Sequence, residues 1–383
     1  MNVKRMNTDF GNSINMNLID GYYFELPTNV VELSKEKAEG YFVTSIDSPQ
    51  ELLKNLLVSC TIDNEERYFL VGEVAEDQIL GNNHIRKLHN KAESHIPYVL
   101  FLASNAYYYT IKNEKEEDNK IEIDYFSTML PIWLLFKLNK FSEMQQKMAQ
   151  RFLGTHSVKI HTPGFEKEIS IEVNESKCRT ESEVARWAIK KTFELEDNSD
   201  AEQFKNHDVV MVDLGGGSGD LCLLPAGLNA PRSRESMAFI ADIPFLGHIE
   251  KLRTEKLIEH FDDVRELENF IVKNIGKSKM ERRDGNSGKS VDLAAPIKAA
   301  LKEWTSIVLS KIEDAFPSPK DKTYKYCYFG GVAPVVQEAI EEIIKEKYGS
   351  DILESNHIFL PEARKLNLYG LEILSRADTL VKP

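Results

Sequence analysis

Three consecutive glycines, Gly215, Gly216 and Gly217, lie in the stretch VVMVDLGGGSGDLCLLP (209–225), with Asp213 before them and Ser218 and Asp220 after. Glycine permits positive φ and lets another group come close to the backbone. Successive N–H groups in such a turn converge into a nest for anionic oxygens. A carboxylate such as Asp213 repels a phosphate held there unless a cation stands between them, and Mg2+, which keeps its waters, suits that place. The flanking apolar runs make the stretch a strand, a glycine turn and a strand; taken alone, it could equally be an ordinary hairpin.

Two better-known phosphate motifs do not fit. A P-loop needs G-x-x-x-x-G-K-[ST] between a strand and a helix. The two GKS tripeptides, around Lys277 and Lys289, put Ile271 and Arg283 where the first glycine belongs. A dinucleotide fingerprint should open a helix, whereas GGGSGD runs into the apolar strand LCLLP.

Two further turns accompany the glycine run. TDFGNSIN (8–15) sets Asp9 before Gly11, with Asn12 and Ser13 as small polar donors at the tip of a second hairpin candidate. YCYFGGVAP (326–334) is a strand-to-helix turn in which Gly330, Gly331 and Val332 could lie against a flat ring. Each has a plain reading as a turn or connection. Two Asp-Gly hairpins and a Gly-Gly turn, in that order, are more specific than any one of them. Upstream of the glycine run, KCRTESEVA (177–185) carries Glu181 ahead of helical spacing, and Glu175-Ser176 offers a competing Glu-Ser pair.

Strands and helices mix along the whole chain, which favours α/β layers. INMNLIDGYYFELP, with Asp20-Gly21 between apolar runs, predicts a hairpin. Helices are expected at 95–112, 125–153, 180–196, 248–261 and 293–316, and strands at 68–75 and 238–246, with two more, VKIHTP and KEISIEV, within 158–173. The charged segments 112–120 and 273–292 read as surface loops, and the polar stretch 196–208 is a candidate domain boundary.

The chain has 383 residues with 42% hydrophobic content, which suggests about two domains. A net charge of -13 argues against direct binding to nucleic acid or acidic membranes, though not against a DNA-bound protein partner. Four scattered cysteines without a CxxC pair suit a reducing cytoplasm. The most apolar stretch, MLPIWLLFKL (129–138), is too short to span a bilayer, and the N-terminal residues lack a secretory apolar region. The expectation is a soluble, cytoplasmic protein.

The order of turns resembles that of the actin, DnaK-type chaperone and sugar kinase superfamily, from Asp9 to the terminal segment LNLYGLEIL (366–374). Within it the chain is most similar to bacterial plasmid-segregation actins of the ParM type. The resemblance implies an actin-like, ribonuclease H-like two-domain α/β fold with nucleotide in the interdomain cleft. Residues 1–200, completed by 355–383, would form domain I, and 201–354 domain II.

It further implies ATP or GTP with Mg2+, phosphates on Gly11, Asn12, Ser13 and Gly215–Ser218, and the base beside Gly330, Gly331 and Val332. Asp9 and Asp213 would hold the metal's waters, and Glu181 would be catalytic, orienting the attacking water, with Glu175 as the other register. One departure is Met16, where the family usually has lysine. The implied function is a nucleotide-hydrolysing, filament-forming cytoskeletal protein in plasmid partition, with its own copies and a ParR-type DNA-binding adaptor as partners. A small-molecule kinase of the same fold is the alternative, and a nucleotide-binding scaffold without turnover is a third reading.

Overall fold

The computed structural model describes residues 1–81, 90–112, 119–138, 140–284 and 288–380, with side chains excluded for 77–81. Most of the charged segment 112–120 lies outside the described residues. The chain divides into two units, each with its own sheet: one is Met1–Thr180, Lys191–Glu196 and Leu368–Pro383, the other Glu181–Lys190 and Asp197–Asn367. Among the described residues, no helix is long and apolar enough to cross a membrane.

Ten strands form the first unit's sheet: β1 (Asn2–Phe10), β2 (Ile14–Ile19), β3 (Tyr22–Pro27), β4 (Val30–Leu33), β5 (Leu56–Ile62), β6 (Glu65–Val71), β7 (Lys120–Leu130), β8 (Gly154–Ile160), β9 (Lys167–Val173) and β10 (Ser176–Thr180). Their order is β3-β2-β1-β7-β9-β8-β5-β6-β4. β9 pairs with the first half of β7 and β10 with the second. The expected hairpin forms, with Ile19 opposite Tyr22 across Asp20-Gly21.

β1 is antiparallel to β2 and parallel to β7, so it is interior to the sheet. Its C-terminal end is anchored by Phe10, whose ring stacks 5.6 Å from Phe152; Phe126 and Phe101 complete the aromatic cluster. The helix His95–Lys112 supplies Phe101 and is buried on nearly every face, as a core helix must be when it is apolar all round.

The helix expected over 125–153 is overturned. Lys120–Leu130 is strand β7, followed by short helices Ile132–Leu135 and Phe141–Gln150. The alternation Ile121-Glu122-Ile123 starts directly after the expected charged loop, and the following YFSTML is continuously buried because both faces of β7 are covered there. A short buried strand and a buried helix look alike by periodicity.

The second unit's main sheet contains β11 (Val209–Leu214), β12 (Gly219–Leu224), β13 (Met237–Ile240), β16 (Lys325–Phe329) and β17 (His357–Phe359), in the order β13-β12-β11-β16-β17. A separate ribbon, β14 (Glu281–Arg283) with β15 (Ser290–Asp292), occupies part of the expected loop at 273–292. β11 is buried at all six residues, with antiparallel β12 on one side and parallel β16 on the other. Parallel neighbours need a crossover, and the intervening helices include Phe245–Leu252, Val264–Asn274 and Ala294–Ala315. The expected strand at 238–246 ends at Ile240, and the expected helix at 180–196 shrinks to Ala185–Lys190.

Candidate functional site

In the second unit, the glycine run caps the β11–β12 hairpin. Asp213 pairs with Asp220 and Leu214 with Gly219, leaving residues 215–218 as the turn. Gly215 N–H donates to Ser218 O at 3.0 Å, and Gly216 O accepts from Leu246 N at 3.0 Å, which ties the turn to the start of helix Phe245–Leu252. Both aspartates are buried.

β16 ends level with β11, Asp213 opposite Phe329, so the Gly330 turn follows directly beside the aspartate. Gly330 has φ +90°, and a Cβ there would stand 2.3 Å from Asp213 Oδ1 and 2.7 Å from Leu214 O. Only glycine allows that approach. Val332 N–H donates to Leu214 O at 2.8 Å, and Gly330 N–H to Ala363 O at 3.1 Å. These turns lie at the carboxyl ends of parallel strands, where α/β sheets bind ligands.

Asn367 completes the arrangement. Its Nδ2 donates to Asp213 Oδ2 at 2.5 Å, and its Oδ1 accepts from Ser182 N–H at 3.1 Å. Ser182 follows Glu181 and has φ +67°, left-handed and uncommon for serine. That residue is what stops the helix from starting at Thr180. Glu183 N–H donates to Glu181 O at 2.8 Å, closing the turn. Asp213, Gly330 and the turn after Glu181 are thus brought together within one unit.

Glu175 belongs to the first unit, at the joint between β9 and β10, with its carboxylate 3.4 Å from Lys177 Nζ. Sequence reading missed Asn367 and Ser182. The available signal was a lone amide inside the apolar segment LNLYGLEIL.

The first unit carries the other hairpin. Asp9 pairs with Met16 and Phe10 with Asn15, leaving Gly11, Asn12 and Ser13 at the tip. A Cβ on Gly11 would stand 2.4 Å from Ile14 O. Thr28 pins the tip twice, through Oγ1 to Gly11 O at 2.7 Å and N–H to Ser13 O at 2.9 Å. Asp9 is buried.

Along β2, side chains alternate. Asn15 and Asn17 join a buried polar group: Asn15 Nδ2 donates to Ser104 Oγ at 3.3 Å and Thr8 Oγ1 to Asn17 Oδ1 at 3.0 Å. Met16 and Leu18 pack instead with Leu368, beside Phe193 and Tyr23. Position 16 therefore belongs to an apolar cluster.

The residues fit a magnesium–nucleotide. Each hairpin presents bare glycine backbone beside a buried carboxylate, and hard oxygen ligands match a cation that is completed by phosphates and water. No cluster of three or more His, Cys, Asp or Glu that could hold a metal by itself occurs among the described residues.

Two mixed sheets with aspartate–glycine hairpins form the fold of the actin-like proteins. The chain matches ParM from Bacillus thuringiensis with ATP at TM-score 0.63 and 15% identity, over 99% of this chain and 98% of that one. It matches a 15-stranded ParM filament from Clostridium botulinum at TM-score 0.69 and 18% identity, over 98% of this chain and 100% of that one. At these identities the likeness is one of fold.

The family described as Alp7A C-terminal domain matches residues 208–363. The crystal structure of actin-like protein Alp7A is similar at TM-score 0.93 and 62% identity, over 99% of this chain and 97% of that chain. With that identity over nearly the full length, the chain belongs to the Alp7A family of actin-like proteins. No protein of curated function matches it.

Proposed function

We propose that the chain is a cytoplasmic, nucleotide-driven filament former that hydrolyses ATP or GTP and moves plasmid DNA through a ParR-type DNA-binding adaptor. The observation that carries the nucleotide reading is the bare Cα of Gly330 set against the Asp213 carboxylate, beside the Gly215–Ser218 turn. Its extension to filaments and to nucleotide turnover draws on membership in an actin-like family and on the filament and ATP-bound structures of proteins sharing the fold.

In this reading, backbone N–H groups of Gly11, Asn12 and Ser13, and of Gly216, Gly217 and Ser218, hold the phosphate oxygens, while the Gly215 N–H, engaged by Ser218 O, closes the turn that aims them. Gly330, Gly331 and Val332 flank the base. Asp9 and Asp213 are the carboxylates that would hold the cation, through its waters. Mg2+ supplies charge neutralisation between the phosphates. The Glu181 carboxylate orients the attacking water, and the left-handed Ser182 fixes the turn that presents it. Slow hydrolysis then times the lifetime of an assembled subunit.

Right-angle light scattering of purified protein with Mg-ATP or Mg-GTP, with electron microscopy of the same samples, tests the reading. A nucleotide-dependent rise with filaments on the grid supports it and names the fuel; a flat trace removes the filament function. Glu181→Ala should slow phosphate release while leaving assembly intact. Unchanged turnover would move the water-orienting role to Glu175 or elsewhere.

A further inference from the structure

We propose that Asn367 is a positioning residue that couples the Asp213 carboxylate to the turn presenting Glu181; the inference rests on the nucleotide reading above. Its amide has a donor end and an acceptor end, and each is used on a different partner. The donor holds Asp213 Oδ2 at 2.5 Å and the acceptor takes Ser182 N–H at 3.1 Å. A carboxylate at 367 could not donate to Asp213 when ionised, and a serine hydroxyl is too short to span both partners.

The environment gives those two bonds weight. Asn367, Asp213 and Ser182 are all buried, and the Ser182 hydroxyl has no hydrogen-bond partner among the described residues. A left-handed serine persists only where its surroundings over-determine it. The other carboxylate oxygen of Asp213, Oδ1, faces Gly330 so closely that a Cβ there would stand 2.3 Å from it. Asp213 is therefore set between a bare Cα and an amide, with an orientation fixed before any cation arrives. The same amide fixes the backbone one residue beyond Glu181, so the carboxylate assigned to the metal's waters and the one assigned to the attacking water share a single mount.

The test measures binding of a fluorescent ATP analogue, mant-ATP, with Mg2+ and in excess EDTA. Wild type, Asn367→Ala, Asp213→Ala and the double variant are compared. For Asn367→Ala, the Mg2+-dependent gain in affinity should fall about tenfold, the size of one lost hydrogen bond to a charged group. Affinity in EDTA should be unchanged. In the Asp213→Ala background, Asn367→Ala should produce no further loss of the Mg2+-dependent gain, because the two act as one unit.

Equal losses with and without Mg2+, or effects that multiply in the double variant, would overturn the proposal in favour of a purely structural asparagine. Asn367→Ser is the second variant should Asn367→Ala fail to fold, with the same expected loss. Wild-type protein that shows no Mg2+-dependent mant-ATP binding would refute the nucleotide reading itself. Normal wild-type binding with an unaltered Asn367→Ala would refute only this inference.

Discussion

β1–β2 and β11–β12 are both antiparallel hairpins in which an aspartate stands two residues before the first turn glycine, separated from it by one buried hydrophobe, Phe10 or Leu214. What lies beneath them differs. β11–β12 is built from Val209, Met211, Cys222 and Leu224, packed with Cys327 and Phe329. Polar bracing of Asp213 comes from Asn367, and shape is imposed by Gly330.

β1–β2 instead rests on Asn7, Thr8, Asn15 and Asn17, with Ser104, Ser127 and Glu372 as partners, all buried. A hairpin set by close packing is sensitive to one added carbon. A hairpin set by a buried polar group is sensitive to one removed acceptor, because the stranded donor bears the full cost of desolvation.

The largest effect should come from breaking the packed hairpin. Gly330→Ala adds a carbon 2.3 Å from Asp213 Oδ1 at φ +90°, combining a steric clash with backbone strain. It should destabilise the protein by about 3–5 kcal/mol. Gly331→Ala has nothing within 4 Å of its added carbon among the described residues and should stay within about 0.5 kcal/mol of wild type. Urea unfolding of both variants measures the contrast; equal stabilities would mean that close approach does not set this hairpin.

Next in size is the polar hairpin. Glu372 is fully buried, accepting from Asn7 Nδ2 at 2.6 Å and from Arg376 Nε at 2.6 Å. Glu372→Ala strands Asn7, which is itself wholly buried and braces Ser127. A loss of about 2–4 kcal/mol is expected. Glu372→Gln keeps an acceptor for Asn7 and should lose about 1 kcal/mol. Thermal unfolding separates the two, and similar losses would show that charge rather than hydrogen bonding supports the first hairpin.

The same contrast explains what could be read in advance. The glycine run, the Asp-Gly hairpin at 20–21 and the core helix at 95–112 were legible because glycine and periodicity encode local geometry. The polar bed of β1–β2 was not, since Asn7 meets Glu372 across 365 residues of chain and Asn15 meets Ser104 across 89. Asn367 stayed hidden for the same reason: its two partners, Ser182 and Asp213, are brought to it only by the folded unit. β7 was misread because burial on both faces erased the alternation that marks a strand.

The smallest effect concerns the place where a lysine would be expected from the family resemblance. Met16 is buried and packs with Leu18 and Leu368, whereas its neighbours Asn15 and Asn17 belong to the polar group. Met16→Lys brings an ammonium into that apolar cluster. A flexible stem lets the charge reach outward, so the cost should be held to about 1–2 kcal/mol. Met16→Leu, which conserves volume, should cost less than about 1.5 kcal/mol. If position 16 serves packing alone, Met16→Lys leaves mant-ATP affinity no tighter than wild type while lowering stability. A tighter complex would show that a cation on β2 still reaches the phosphates, and would make the amide-lined first hairpin a weakened version of a charged one rather than a different solution.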